Sequence, residues 1–421
     1  MPEMKDSGIE WIGLIPSDWS VEKGKYHFAY KKIIPGVQSS KYERLSLTLK
    51  GVIPRAKDDA DGLQPKDFNT YQLLRENELV FKLIDLQNVS TSRVGLSPYL
   101  GLVSPAYIIL KSNKKKILPS FAEKYFLVLW KNQIFNALGD AGVRSNLNSK
   151  DLLELSIPVP SLEEQQKIAE FLDGECEKID GLTREIQAEI ETLEQYKRSV
   201  ITEAVTHGLD KSAPMKDSGA GWMPFIPAHW RADKFKFHLR QRSIKNQIDK
   251  QVLSLYREYG IVPKDSRDDN HNVTSEDVSD YRYVRVGDFV VNKMKAWQGS
   301  VAVSDYEGIV SPAYFVYEFS DDLINKRYFH YLMRNRTYTT EFRRLSGGIR
   351  EGQWDLPAEA LNNTLILVPP HSEQEAIAEY LDKKCAEIDR TIADKKAQIE
   401  ALEAYKKSVI YEYVTGKKEV V

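Results

Sequence analysis

The stretches FKLIDLQNVS from Phe81 and VNKMKAWQGS from Val291 carry side chains suited to hydrogen-bonding the edges and backbone of a nucleic acid. Set against each other, Lys82, Gln87 and Asn88 face Asn292, Trp297 and Gln298, and the second stretch adds Lys293 and Lys295. Lys and Arg suit phosphate oxygens or N7 and O6 of guanine, while Asn and Gln suit N6 and N7 of adenine. The competing account is a surface loop with ordinary solvated charges, Trp297 anchoring the core. A second pair, AGVRSNL from Ala141 and GGIREGQ from Gly347, sets Arg144 and Asn146 opposite Arg350 and Gln353. Glycine lets backbone approach closely and arginine forks onto a phosphate or a guanine; a local salt bridge to Asp151 or Asp355 is the alternative. Arg257, Glu258 and Lys264, with Lys50 and Arg55 opposite, mark a third variable loop.

Catalytic signatures are missing. The chain has no G-x-x-x-x-G-K-[ST] or G-x-G-x-x-G phosphate loop, no G-x-S-x-G elbow and no Asn-Pro-Pro-aromatic motif. Seven histidines include no pair at helical ligand spacing, and Cys176 and Cys385 are the only cysteines, so no metal site is expected. The pattern points to a binder rather than an enzyme.

The elements that must carry these loops come in two copies. MKDSGIEWIGLIPSDW from Met4 returns as MKDSGAGWMPFIPAHW from Met215, with nine of sixteen positions identical. LSLTLKGVIPR answers LSLYREYGIVPK, GLVSPAY answers GIVSPAY, and IAEFLDGECEKID answers IAEYLDKKCAEID, which pairs the two cysteines. The order is globular unit, acidic stretch, globular unit, acidic stretch. Runs such as ELVFKLI from Glu78, DFVVNKM from Asp288 and YFVYEF from Tyr314 predict strands, and Phe121 to Leu138 and Asn325 to Leu345 predict a helix late in each unit. SPAY, at Ser104 and Ser311, is expected to be a structural turn with a buried tyrosine.

Each acidic stretch predicts a helix of about 45 residues, roughly 65 to 70 Å long. Prolines 158 and 160 precede the first and prolines 369 and 370 the second, and Ser161 with Glu164 and Ser372 with Glu375 offer capping boxes. In the first, Ile179, Ile186, Leu193 and Val200 recur every seven residues, with Leu182 and Tyr196 at the three-residue offset. Ile388, Ile392, Ile399, Leu402, Tyr405 and Val409 form a less regular stripe in the second. Helices so long and so charged need another helix for their apolar seams, and the natural partner is the other copy. Cys176 and Cys385 read as small packing residues.

Residues 161 to 210 hold 13 acidic and 5 basic side chains, and residues 371 to 421 hold 11 and 9. The overall charge of -2 therefore hides heads that are net basic, where an anionic partner would bind. At 421 residues the chain suits two domains with connectors. No apolar run approaches a membrane span and the first residues lack the features of a leader, so a cytoplasmic protein with no membrane contact is expected.

The Trp-x-x-x-Ile-Pro-x-x-Trp openings (Trp11 to Trp19, Trp222 to Trp230), SPAY, and the helix entries Glu164-Gln165 and Glu373-Gln374 followed by IAEFLD or IAEYLD together resemble the specificity (S) subunit of Type I restriction-modification systems. The resemblance covers essentially the whole chain. It implies an α+β fold: two repeated target recognition domains, residues 1–158 and 211–368, with two long antiparallel helices, 159–210 and 369–421, forming a coiled coil of pseudo-two-fold symmetry. It also implies that each domain reads half of a split double-stranded DNA target, and that the helices hold the domains apart and dock methyltransferase (M) subunits. A restriction translocase (R) would join them. S-adenosylmethionine, ATP and Mg would then belong to those partners, with no cofactor in this chain. A non-catalytic coiled-coil scaffold for protein partners is the alternative reading.

Overall fold

The computed structural model describes residues 3–59, 67–84, 86, 92–138, 146–266, 274–348 and 354–420. The chain divides into two compact units, residues 1–186 with 396–421 and residues 187–395. Each holds one head and one end of each long helix.

In the first unit a four-stranded sheet runs Phe28–Tyr30, Ile108–Ser112, Leu79–Phe81, Val94–Leu96 in spatial order. A second runs Gly51–Arg55, Arg44–Thr48, Gly101–Val103, Gln72–Leu74. The second unit repeats the first sheet as Leu239–Arg242, Tyr314–Phe319, Phe289–Asn292, Val301–Val303. Of its central strands, Phe289–Asn292 is buried at every position, while Tyr314–Phe319 is fully buried only at Val316 and Tyr317. The predicted late helix is split in both heads. In the second, Asn335 caps Arg336–Leu345 by accepting from Thr337 N and Tyr338 N, which ends Lys326–Arg334. In the first, Gln133, at a φ of 59°, separates Pro119–Lys131 from Ile134–Leu138.

The repeated opening is where a helix end is received. Trp19 and Trp230 are fully buried, and Trp11 and Trp222 lie against Tyr125 and Tyr338 at ring separations of 5.7 and 5.0 Å. In the second unit the helix Leu162–His207 ends at Gly208, which packs on Trp230. In the first unit the helix His371–Val414 ends just before Gly416, which packs on Pro16 and Trp19. There Tyr411 Oη donates to Trp11 O at 3.3 Å and Lys417 Nζ to Ile12 O at 2.9 Å.

The two long helices, 46 and 44 residues, pack against each other antiparallel within each unit. In the first unit Phe171 meets Tyr413 at 4.5 Å and Asp180 pairs with Lys406 at 2.6 Å. In the second, Lys197 pairs with Asp389 at 2.6 Å and Glu189 with Lys395. Burial along the first helix falls on Leu172, Cys176, Ile179, Thr183, Ile186, Ile190, Leu193, Lys197, Val200 and Ala204, steps of four and three that define a heptad seam. The second helix keeps the same rhythm through Leu381, Cys385, Ile388, Ile392, Lys395, Ile399, Leu402, Lys406 and Val409. It looked irregular only because two seam positions are lysines, whose stems pack while their heads reach acids of the facing helix.

Leu182, expected on the seam, is instead 49% exposed, as is Tyr196, and Tyr405 is 52% exposed. Two flanks of the seven-residue row could close the seam. The one with Leu182 and Tyr196 also carries Glu189 and Glu203, which would have to shed water. The one used carries Ile190, Ala204, Lys197 and Thr183, whose hydroxyl is satisfied by Ile179 O at 2.9 Å. The caps differ too. Ser161 Oγ accepts Glu164 N at 3.2 Å as expected, but the second helix begins at His371, so Ser372 lies inside its first turn.

Candidate nucleic-acid interface

Asn292, at the end of its strand, turns the chain by accepting Met294 N on its side chain at 3.2 Å and Lys295 N on its carbonyl at 3.0 Å. One helical turn, Ala296–Gln298, follows, and Gly299, at a φ of 91°, returns the chain to the next strand. The result is a rigid knuckle. Ala296 is buried beneath it, Trp297 and Gln298 are half-buried, and Lys295 is exposed. Trp297 is not a core anchor: its Nε1 donates to Met294 O at 3.0 Å, and its ring lies 5.6 Å from that of Trp354.

Trp354 and Asp355 directly follow the stretch that carries Arg350. The first stretch and the residues that follow the second therefore meet. Leu356 N donates to Lys293 O at 2.9 Å, and Lys293 Nζ pairs with Asp355 at 3.0 Å. Asp355, proposed as a partner of Arg350, is thus a partner of Lys293. Arg350 and Gln353 lie outside the described residues. The SPAY turn supports the knuckle from behind, since Ala313 O accepts Lys293 N at 3.3 Å. That turn is itself clamped by Arg282, which donates to Tyr314 O. Tyr314 is half-buried, and burial pushes its hydroxyl pKa up.

The first head repeats the arrangement. Leu147 N donates to Leu83 O at 3.2 Å, the counterpart of the Leu356–Lys293 bond. Gln72 takes the place of Arg282, donating to Ser104 O and Tyr107 O. Lys82 is half-buried with its N–H on Arg93 O at 3.0 Å, and Asn146 is exposed. Asp151 serves a capping box with Asn148. Gln87, Asn88 and Arg144 lie outside the described residues.

The third loop is held by a residue that sequence reasoning missed. Arg334 Nη2 donates to Arg257 O at 2.7 Å and Glu258 O at 3.0 Å, while Nη1 donates to Val301 O at 2.9 Å. Burial pulls its pKa down to about 10. Arg257 thereby sits on a turn tied to the strand that leaves the knuckle. Opposite, Arg55 pairs with Asp59 at 2.7 Å. Trp354, whose ring meets that of Trp297, was also missed; a tryptophan in one copy with no counterpart in the other was the available signal. Among the described residues no group of three or more His, Cys, Asp or Glu side chains is placed to hold a metal, and no helix is long and apolar enough to cross a membrane. Cys176 is half-buried and Cys385 buried, and burial raises both thiol pKa values.

Residues 63–192 and 243–401 match the family described as Type I restriction modification DNA specificity domain. A putative type I restriction enzyme MjaX specificity subunit of Methanocaldococcus jannaschii is 23% identical, covering 97% of this chain and 96% of its own length. The MjaVIII specificity subunit of the same organism is 26% identical over 96% and 94%. Among solved structures, a chain described under complex assembly and conformational transition of the type I R-M system matches with a TM-score of 0.69 at 13% identity, over 96% of this chain and 99% of that one. The HsdS subunit from Thermoanaerobacter tengcongensis matches at 0.50 and 13%, over 96% and 98%.

Proposed function

Because the chain belongs to the Type I restriction-modification DNA specificity family, and is a non-catalytic specificity subunit, we propose that each head reads one half of a bipartite duplex target. The observation that carries this is the shared bond, Leu147 to Leu83 and Leu356 to Lys293, which joins two loops in each head while the side chains on those loops differ. One scaffold presenting two different loop pairs suits two different half-sites, and duplicated heads suit the two-fold symmetry of DNA.

The knuckle supplies Lys293, Lys295, Trp297 and Gln298, and the turn beside it Arg257 and the loop of Arg350. In the first head the same roles fall to Lys82, Gln87, Asn88, Arg144 and Asn146. The helix pair sets the gap between half-sites and docks methyltransferase subunits along its exposed sides, where Leu182 and Tyr196 stand. A restriction translocase completes the assembly, and S-adenosylmethionine, ATP and Mg belong to those partners. Domain limits at 158, 210 and 368 follow from this division.

Exchanging residues 1–158 for the head of a relative, then mapping methylated adenines in DNA from cells that also carry the M subunit, tests the reading. One half of the methylated sequence should change and the other persist. A change in both halves, or in neither, sinks it.

A further inference from the structure

An open groove of about 1190 Å³ lies within the second unit, where the last turns of the helix Leu162–His207 run beside the helix Arg336–Leu345. The first helix contributes Arg198 and the second Arg336, both exposed. Among the described residues neither guanidinium has a hydrogen-bond or ion-pair partner, and the hydroxyls of Ser199, Thr337 and Thr340 in the same groove have none either. Two acids also line it, and each is engaged. Glu203 pairs with Lys211 at 3.1 Å, and Asp210 accepts Ser212 N at 2.9 Å and Ser212 Oγ at 2.6 Å. Arg198, Arg336 and Lys211 stand against these two carboxylates, so the groove is net positive.

In the first unit a larger side chain holds the equivalent position. Tyr411 stands there where the second unit has Thr202, and its Oη donates to Trp11 O at 3.3 Å. The shorter threonine leaves the space beside Trp222 open. Arginines and hydroxyls are the side chains that meet phosphate oxygens on a duplex, where they position without specifying. A DNA strand presents its phosphates in series, which suits donors spread over both walls of a groove. The groove also shares an element with the knuckle: Thr339, three residues or about 5 Å along the helix from Arg336, packs on Gly299. A duplex whose bases meet the knuckle therefore has its backbone near the groove. Resting on the DNA-reading function proposed above, we infer that this groove is a phosphate clamp in which Arg198 and Arg336 hold the DNA backbone beside the half-site of the second head, adding affinity and no sequence preference.

The test uses the full chain assembled with its M subunits. Affinity for a duplex carrying the methylated motif is measured against salt concentration for the parent, Arg198→Gln, Arg336→Gln, the double variant and Arg390→Gln, an exposed arginine of the same unit outside the groove. Each groove variant should lower the slope of log affinity against log salt by about one and the double variant by about two, with Arg390→Gln at the parent value. Mapped adenine methylation should keep both half-sites in every variant. An unchanged slope in the double variant, or an equal fall in Arg390→Gln, would overturn the inference. So would a relaxed base position, which marks base reading, or loss of M subunits from the complex, which marks a seat for an acidic protein segment. A parent complex with no bipartite motif would instead sink the function on which the inference rests.

Discussion

Gln374 and Asn325 share a 2.8 Å hydrogen bond in which the backbone N–H of Asn325, the cap of the Lys326–Arg334 helix, donates to Oε1 of Gln374. Nε2 of the same buried glutamine donates to Leu323 O and Pro369 O, both at 2.9 Å. In the first unit Gln165 does the same work, accepting Leu118 N at 2.8 Å and donating to Lys116 O and Pro160 O at 3.1 and 2.9 Å. One primary amide supplies an acceptor and two donors. The Glu-Gln entry therefore welds each long helix to the helix of its head.

Gln374→Ala leaves a buried N–H and two carbonyls without partners and should cost about 2 to 4 kcal/mol of unfolding free energy in urea titration. Gln166, exposed on the same helix as Gln165, is the control, and Gln166→Ala should stay within about 0.5 kcal/mol. Equal effects would show that the weld carries no load.

Gly416 has a φ of 69°, and a Cβ there would stand 2.3 Å from Cδ of Pro16. Gly13 has a φ of 70° with open space around it. Both alanine variants bear the left-handed backbone penalty of about 1 to 2 kcal/mol, but only Gly416→Ala adds overpacking of about 1 to 3 kcal/mol. Thermal melts of the two variants measure the difference, which vanishes if the helix end is not seated on the opening.

Lys395 occupies the seam position that Ile186 holds in the first copy, and its partner Glu189 is 57% exposed. Removing the lysine leaves that carboxylate in water, while isoleucine buries more apolar surface. Lys395→Ile should stabilise the chain by about 1 kcal/mol. A loss of stability would mean that the ion pair outweighs the packing.

His330 has its pKa pushed down to about 3, first by burial and then by the charges of Arg334 and Arg327. Its folded pKa lies below the ordinary value of 6.5, so the unfolded chain takes up the proton first and stability falls as pH drops from about 6.5 toward 3. His27 adds a loss in the same direction through burial. His330→Gln should flatten the dependence of unfolding free energy on pH between 6.5 and 4. An unchanged slope would refute the assignment.

The pairing of the seams sharpens the test of the helices as a ruler. Seven residues inserted after Glu185, matched by seven after Ile399, keep Asp180 with Lys406 and Lys197 with Asp389 while lengthening both helices by roughly 10 Å, about three base pairs. The methylated motif should keep both half-sites and gain a longer gap. Full activity with the original gap would leave the helices as docking surfaces alone.

The chain's own periodicities determined the duplication, the extent of the long helices and the existence of their seam, because these are local or repeat at a fixed offset. Proline entries mark the helix starts, and Ser161 the cap of the first. Which flank closes the seam was decided only in the tertiary structure: rows through Leu182 and through Ile190 share one heptad period, and the facing helix chose the row whose burial strands no carboxylate. The proposed reading loops were legible as separate variable stretches. Their convergence rests on Leu356 N reaching Lys293 O and the Arg334 guanidinium reaching Arg257 O, bonds to main-chain carbonyls that carry no sequence signature. The contact of Trp297 with Trp354 could not be read before the fold brought the two rings together, since a ring pair is made by distance in space and not by spacing along the chain.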